Sequence, residues 1–206
     1  ERYACKVCSR EIMEKNGLLF RFDQELRIYC RLHHPNIAEV KNVVYMEEII
    51  VIVMEYCSRG ELIDRILSDD SFSELEIIHY MRQILSAIAY IHSLGICHRD
   101  IKLENIVVDS ENNAKLIDFG LCSENAATSM MQTYCGTPAY IAPEVLNDKE
   151  YDGRASDIWS LGVALYIMAT NHFPWKGKTD IETFKEISEA KYTIPSNVPH
   201  SLQEVI

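Results

Sequence analysis

The chain of 206 residues lacks an excess of positive charge: 20 Lys and Arg stand against 31 Asp and Glu, a formal net charge of −11. A general affinity for DNA or RNA phosphates needs a basic face, so that class is excluded. Long apolar runs are missing too. Ile158 to Trp175 is a stretch free of Asp, Glu, Lys and Arg, and within it only Leu161 to Ala169 is continuously apolar. That is too short to cross a bilayer and reads as a buried helix. No signal peptide is read at the start of this sequence, and no internal repeat or low-complexity segment is seen in it. A paired cysteine framework is absent as well. Seven cysteines, an odd number, are scattered from Cys5 to Cys135 and read as reduced thiols. With no targeting signal, the expected location is cytoplasmic, with the nucleus also open. The first residue is Glu1 rather than Met, so the chain is read as part of something longer.

Apolar residues make up 48% and charged residues 25%, ordinary for a globular protein. The order of elements is strands first, then helices. Tyr3 to Cys8 is a strand candidate, and Phe22 to Leu32 has near-helical apolar spacing, broken by His33-His34-Pro35-Asn36. The β-branched runs Val43–Tyr45 and Ile49–Glu55 suggest a hairpin across Met46-Glu47-Glu48. Cys57 to Gly60 reads as a connector, and Glu61 to Leu67 as a short helix.

Ser73-x-x-Glu76 is a capping box. Ile77, Met81, Ile84, Leu85, Ile88 and Ile91 follow it as one apolar stripe, and Gly95 is a natural stop. Ile106–Val108 and Ala114–Ile117 read as strands joined by the turn residues 109–113. Ser156 to Thr170 is apolar nearly all round, as a central buried helix is. This pattern predicts an α+β fold with two lobes.

One window carries chemistry. His98-Arg99-Asp100-Ile101-Lys102-Leu103-Glu104-Asn105 is followed by Asp118-Phe119-Gly120 and then Ala142-Pro143-Glu144. Phosphoryl transfer asks mainly for positioning and charge neutralisation. Asp100 is a carboxylate able to meet an attacking hydroxyl. Asn105 and Asp118 are hard oxygen donors of the kind Mg²⁺ prefers, returned to one another by the short hairpin between them. Lys102 is a cation two residues from Asp100, able to meet a transferring phosphate.

Together these residues resemble the eukaryotic protein kinase family, with H-R-D, D-F-G and A-P-E in order. The resemblance covers the chain from Tyr3 to about Ile194. It implies a protein kinase-like two-lobe fold: a partial small lobe over 1–56, a hinge at 57–60 and a partial large lobe over 61–206. It implies ATP and Mg²⁺ as cofactors, with Asp100, Lys102, Asn105 and Asp118 catalytic and Asn105 and Asp118 holding the metal. Lys6, in Tyr3-Ala4-Cys5-Lys6, is implied to contact the α- and β-phosphates while paired with Glu25. Met54-Glu55-Tyr56-Cys57 is similar to the adenine-binding hinge, with Met54 as gatekeeper. Glu61 and Glu104 are similar to acidic residues that meet ribose or a basic substrate side chain. Asp157, in Ser156-Asp157-Ile158-Trp159, is implied to brace the catalytic-loop backbone.

Lys102 and the Gly136-Thr137-Pro138-x-Tyr140 segment resemble Ser/Thr kinases, with Thr137 positioning the substrate. Residues 136–144 and Tyr192-x-Ile194-Pro195 lean towards the calcium/calmodulin-dependent and AMP-activated kinase-like branch. A phosphate on Thr133 is implied to pair with Arg99 and order the activation segment, which brings in an upstream activating kinase. Expected partners are proteins with Ser or Thr targets preceded by basic residues. No G-x-G-x-x-G occurs, and the first glycine is Gly17. The chain is therefore read as a fragment without the Gly-rich loop and the last large-lobe helices, of low stability alone. A truncated pseudokinase or scaffold, and a kinase of small molecules or lipids, are the alternatives. The pseudokinase would be marked by loss of Lys6, Asp100 or Asp118, and all three are present. Cys5-x-x-Cys8 has no second pair and would face opposite sides of a strand, which speaks against zinc.

Overall fold

The computed structural model describes residues 2–123, 136–147 and 150–206. The β-branched run Ile49–Glu55 (β3) is the central strand of a three-stranded sheet. Ile50 and Ile52 point into the core at 0% and 4% exposure. Val40–Tyr45 (β2) forms the expected hairpin with it, closed by the Met46 N–H donating to the Ile49 carbonyl at 2.9 Å. Tyr3–Ser9 (β1) pairs antiparallel on the other side, with Lys6 opposite Ile52.

Two helices follow β1. Arg10–Lys15 (α1) was not foreseen from the sequence. It buries no residue, so it carries no apolar stripe; Ser9 caps it by accepting from the Ile12 N–H. Leu19–Tyr29 (α2) begins and ends three residues earlier than the spacing suggested. It turns Glu25, Leu26, Ile28 and Tyr29 inward.

Beyond the connector lies Leu62–Leu67 (α3), then Glu74–Ser93 (α4). The capping box forms as expected. Ser73 Oγ accepts the Glu76 N–H at 3.3 Å, and Glu76 Oε2 accepts the Ser73 N–H at 2.9 Å. Leu85 departs from expectation. Residue 84 already occupies the buried stripe, and a one-residue step turns Leu85 outward, to 44% exposure. Tyr80 and Ala87 complete the stripe instead. The helix stops at Gly95, whose φ of +74° suits a residue without a Cβ.

Ile106–Val108 (β4) and Ala114–Leu116 (β5) form an antiparallel hairpin one residue shorter than expected. Pro143–Asn147 (α5), Gly153–Thr170 (α6), Asp180–Ser188 (α7) and His200–Gln203 (α8) complete the chain. Helix α6 is buried nearly all round, as its composition requires, and packs against α4. Its Leu161, Ala164 and Ile167 share one core with Ile84, Ile88 and Ile91 of α4 and Ile106 and Leu116 of the hairpin.

Ile28, Tyr29, Leu32 and Ile37 belong to the same core. The loop after α2 is stitched onto β5: Leu116 N–H donates to Asn36 O at 2.8 Å and Ala38 N–H to Leu116 O at 3.0 Å. The result is an α+β arrangement of a small antiparallel sheet lobe and a larger helical lobe, as the resemblance implies. Among the described residues no helix is long and apolar enough to cross a membrane.

Candidate functional site

The loop His98–Asn105 is held from below by a single carboxylate. Asp157 on α6, 1% exposed, accepts the backbone N–H of Arg99 on Oδ1 at 2.8 Å and that of His98 on Oδ2 at 2.9 Å. Oδ2 also meets His92 Nε2 at 2.8 Å. These bonds hold Arg99 at φ +69°, a conformation that costs energy for a side-chain-bearing residue. His92, Cys97 and Asp157 lie close enough together to suggest a metal triad. Asp157 already accepts three donors through both its oxygens, however, and burial pushes the Cys97 thiol up to about 12. Asp157 and His92 form a hydrogen-bonded brace.

His98 is fully buried and links two segments. Its Nδ1 accepts the Asp100 N–H at 3.3 Å and its Nε2 meets the Ile117 carbonyl at 3.0 Å, the pattern of the neutral Nε2–H tautomer. Burial lowers its pKa in the same sense. The Phe119 ring lies 4.7 Å from both the His98 and the Tyr29 rings, which packs the Asp118 turn between α2 and the loop.

Above this floor four side chains converge. Asn105 Nδ2 donates to the Asp100 carbonyl at 2.8 Å and to its Oδ2 at 3.0 Å. Lys102 Nζ lies 2.9 Å from Asp100 Oδ2 and donates to Thr137 Oγ1 at 2.8 Å. The Thr137 hydroxyl donates to Asp100 Oδ1 at 2.9 Å. Asp100 is thus aimed by three partners, two from its own loop and Thr137 from a distant segment.

Asp118 follows β5 with φ +59° and accepts the Gly120 N–H at 3.3 Å. Lys6 Nζ lies 2.6 Å from its Oδ1. Burial pushes the Asp118 carboxyl up, but the Lys6 hydrogen bond and charge outweigh it and hold the pKa below its usual value. The resemblance pairs Lys6 with Glu25; here the ion pair of Lys6 runs to Asp118. Glu25, 8% exposed, lines the same cleft as Lys6 and Asp118, with Met54 and Tyr29 on its apolar wall. The cleft has a volume of about 130 Å³. It continues into a wider one of about 370 Å³ that takes in Asp100. The structure therefore brings Lys6, Glu25, Met54, Asp100 and Asp118 to one continuous depression.

Other expected residues stand apart from it. Glu55 turns its side chain to the opposite side, where Lys115 meets it at 2.9 Å. Cys57 is half-buried, and burial and then Glu55 raise its thiol to about 11. Glu61 precedes α3 and is exposed; burial, then Asp64 and Glu104, raise its carboxyl pKa. Glu104 accepts the Tyr140 hydroxyl at 3.2 Å. Arg99 Nη2 donates to the Tyr151 hydroxyl at 3.3 Å. Thr133 lies outside the described residues. The reading from sequence missed His92 and Lys115, which no local motif marks because their partners are far away in the chain, and it gave Tyr140 no role of its own.

The arrangement is a carboxylate cradled by donors, beside hard oxygen ligands and two lysines, at the edge of an apolar slot. A family model described as "Protein kinase domain" matches residues 1–206. The chain is 42% identical over 192 residues to the NUAK family SNF1-like kinase 2 of Rattus norvegicus, covering 93% of this chain and 30% of that protein. It is 39% identical over 199 residues to CBL-interacting protein kinase 31 of Oryza sativa subsp. japonica, covering 95% and 44%. It is 35% identical over 206 residues to the probable serine/threonine-protein kinase MARK-A of Dictyostelium discoideum, covering 100% and 19%. The chain spans less than half the length of these three relatives. It belongs to the protein kinase domain family, on the calcium/calmodulin-dependent and AMP-activated kinase-like branch.

Proposed function

We propose that this chain is the phosphotransfer part of a Ser/Thr protein kinase, moving the γ-phosphoryl group of ATP to Ser or Thr hydroxyls of protein substrates. The observation that carries this reading is the convergence of Lys102, Asn105 and Thr137 on Asp100, at a cleft shared with Lys6 and Asp118. Asp100 would accept the proton of the substrate hydroxyl. Lys102, already within reach of Asp100, would balance charge on the phosphoryl group. Thr137 would fix both and shape the place of the target residue.

The residues present fit a magnesium nucleotide. Asn105 spends its amide N–H groups on Asp100, which leaves its side-chain oxygen available as a metal donor. The Asn105 amide oxygen and the Asp118 carboxylate are hard oxygen ligands of the kind Mg²⁺ takes. Bound there, Mg²⁺ would neutralise phosphate charge. Lys6 would hold the α- and β-phosphates, with Glu25 behind it. Met54 would back the adenine, and backbone groups of Glu55 and Cys57 would meet its edge. Glu61 and Glu104, which share a negative field, favour a substrate with Arg or Lys before its Ser or Thr. Phosphorylation of Thr133 by an upstream kinase, read through Arg99, is part of the same proposal.

The test is Mg²⁺-dependent transfer of labelled γ-phosphate to a mixed Ser/Thr peptide pool by the full-length protein, with Asp118→Ala as control. Transfer lost in the control supports the kinase. A folded, Thr133-phosphorylated wild type that transfers no more than the control would leave a nucleotide-sensing scaffold.

A further inference from the structure

Behind the nucleotide cleft, on the opposite side of the connector, lies a second and more polar depression. Glu55, Asn36, Asp109, Asn113 and Lys115 line it. Its centre is Lys115 of β5, whose side chain is only 12% exposed. Three oxygen partners surround the ammonium group: Glu55 Oε1 at 2.9 Å, the Pro35 carbonyl at 2.9 Å and Asp109 Oδ2 at 3.9 Å. They come from three places. Glu55 ends β3 in the small lobe, Pro35 is in the loop after α2, and Asp109 opens the turn between β4 and β5.

The loop and the hairpin are already one unit. Besides the two backbone bonds to Leu116, Asn36 Nδ2 donates to the Ala114 carbonyl at 2.9 Å. The end of β3 is tied differently: the Glu55 and Glu39 backbones are joined at 2.9 Å, within the sheet lobe. The Lys115–Glu55 pair is a side-chain bridge from the hairpin to the strand that leads into the connector. The same hairpin begins next to Asn105 and ends two residues before Asp118.

We propose that Lys115 is a positioning residue for the nucleotide cleft. By holding the Glu55 carboxylate from behind, it sets the connector strand, and Met54 on its front side, against the hairpin that carries Asn105 and Asp118. The proposal rests on the phosphotransfer reading. A cation is suited to the task because three oxygens from three segments need a shared donor, and a partly buried ion pair is screened less than a surface one. Removing the ammonium takes away the direct side-chain link between the strand end and the hairpin and leaves the indirect backbone path through Ala38 and Glu39. The nucleotide must then order what the pair now orders, so its affinity falls.

The experiment uses the full-length protein with Lys115→Met, Lys115→Arg, Glu55→Gln and the double variant Lys115→Met/Glu55→Gln. Nucleotide affinity is measured directly by equilibrium binding, and kcat and both KM values by peptide phosphorylation. Lys115→Met is expected to raise the nucleotide Kd and the KM for ATP at least threefold. The kcat and the peptide KM should stay within twofold. Lys115→Arg should recover most of the affinity, and the double variant should be no worse than the worse single one. An unchanged Kd, or a loss of kcat together with a lower Tm and no change in nucleotide affinity, overturns the proposal. If wild type transfers no phosphate, the phosphotransfer reading fails, and the binding series still decides whether Lys115 positions the cleft. A wild type that binds no nucleotide overturns both.

Discussion

Asp157, buried on α6, accepts the backbone N–H of Arg99 at 2.8 Å. A side chain on α6 thereby sets the backbone of a loop far from it in sequence, and that loop carries Asp100. Asp157→Ala leaves the His98 and Arg99 N–H groups without this acceptor in a dry site. The expected loss is on the order of 3 kcal/mol, by the cost of unsatisfied buried donors. Urea unfolding checks it. A loss under about 1 kcal/mol would show that the loop is held by other means.

Asp100→Asn keeps a side chain of similar size among Lys102, Asn105 and Thr137 but removes the proton acceptor. With activity as proposed, kcat should fall roughly 10²–10⁴-fold, the range of a lost general base. The Tm should stay near that of wild type. A variant that turns over at the wild-type rate would take Asp100 out of the proton-transfer role.

Ile88 and Leu85 looked equivalent in the sequence, and the fold separates them: Ile88 is 1% exposed and Leu85 44%. Ile88→Ala should cost about 2–5 kcal/mol through lost burial and a residual cavity. Leu85→Ala should cost about 0.5 kcal/mol or less, as surface changes do. Paired denaturant titrations compare them, and equal losses would contradict the orientation of α4.

Glu76 gives a pH signature. Hydrogen bonds from the Ser73 hydroxyl and then Arg65 lower its pKa to about 2. Since the folded value lies below the unfolded one, its stabilisation is complete above the unfolded carboxylate pKa. It fades as pH falls from there towards 2. The group is partly exposed, so solvent screening limits the effect to about 1 kcal/mol. Glu76→Gln should flatten the stability profile of the wild type below pH ~4.3, the ordinary glutamate value. Parallel acid titrations followed by circular dichroism read the difference, and coincident profiles would remove Glu76 from the acid response.

Much of this was legible in the residues. The capping box at Ser73, the β-branching of β3 and the all-round apolar α6 are local patterns with local physical causes, and they formed. The H-R-D, D-F-G and A-P-E residues named the family because chemistry demanded many fixed types at fixed spacing. Helix α1 was missed because a surface helix without a buried face leaves no period to read. Leu85 was misplaced because a one-residue step on a helix changes face, and sequence alone does not say how wide the buried face is.

Residue type and spacing by themselves determined which groups are available: carboxylate, amide, lysine and hydroxyl, in a chain whose elements run strand, then helix. Only the tertiary structure decided who meets whom. The Lys6 ammonium turned to Asp118, the Thr137 hydroxyl to Asp100, and the Lys115 side chain to the back of Glu55. These pairs join segments distant in sequence, and a long-range contact depends on packing of the whole core rather than on any local preference.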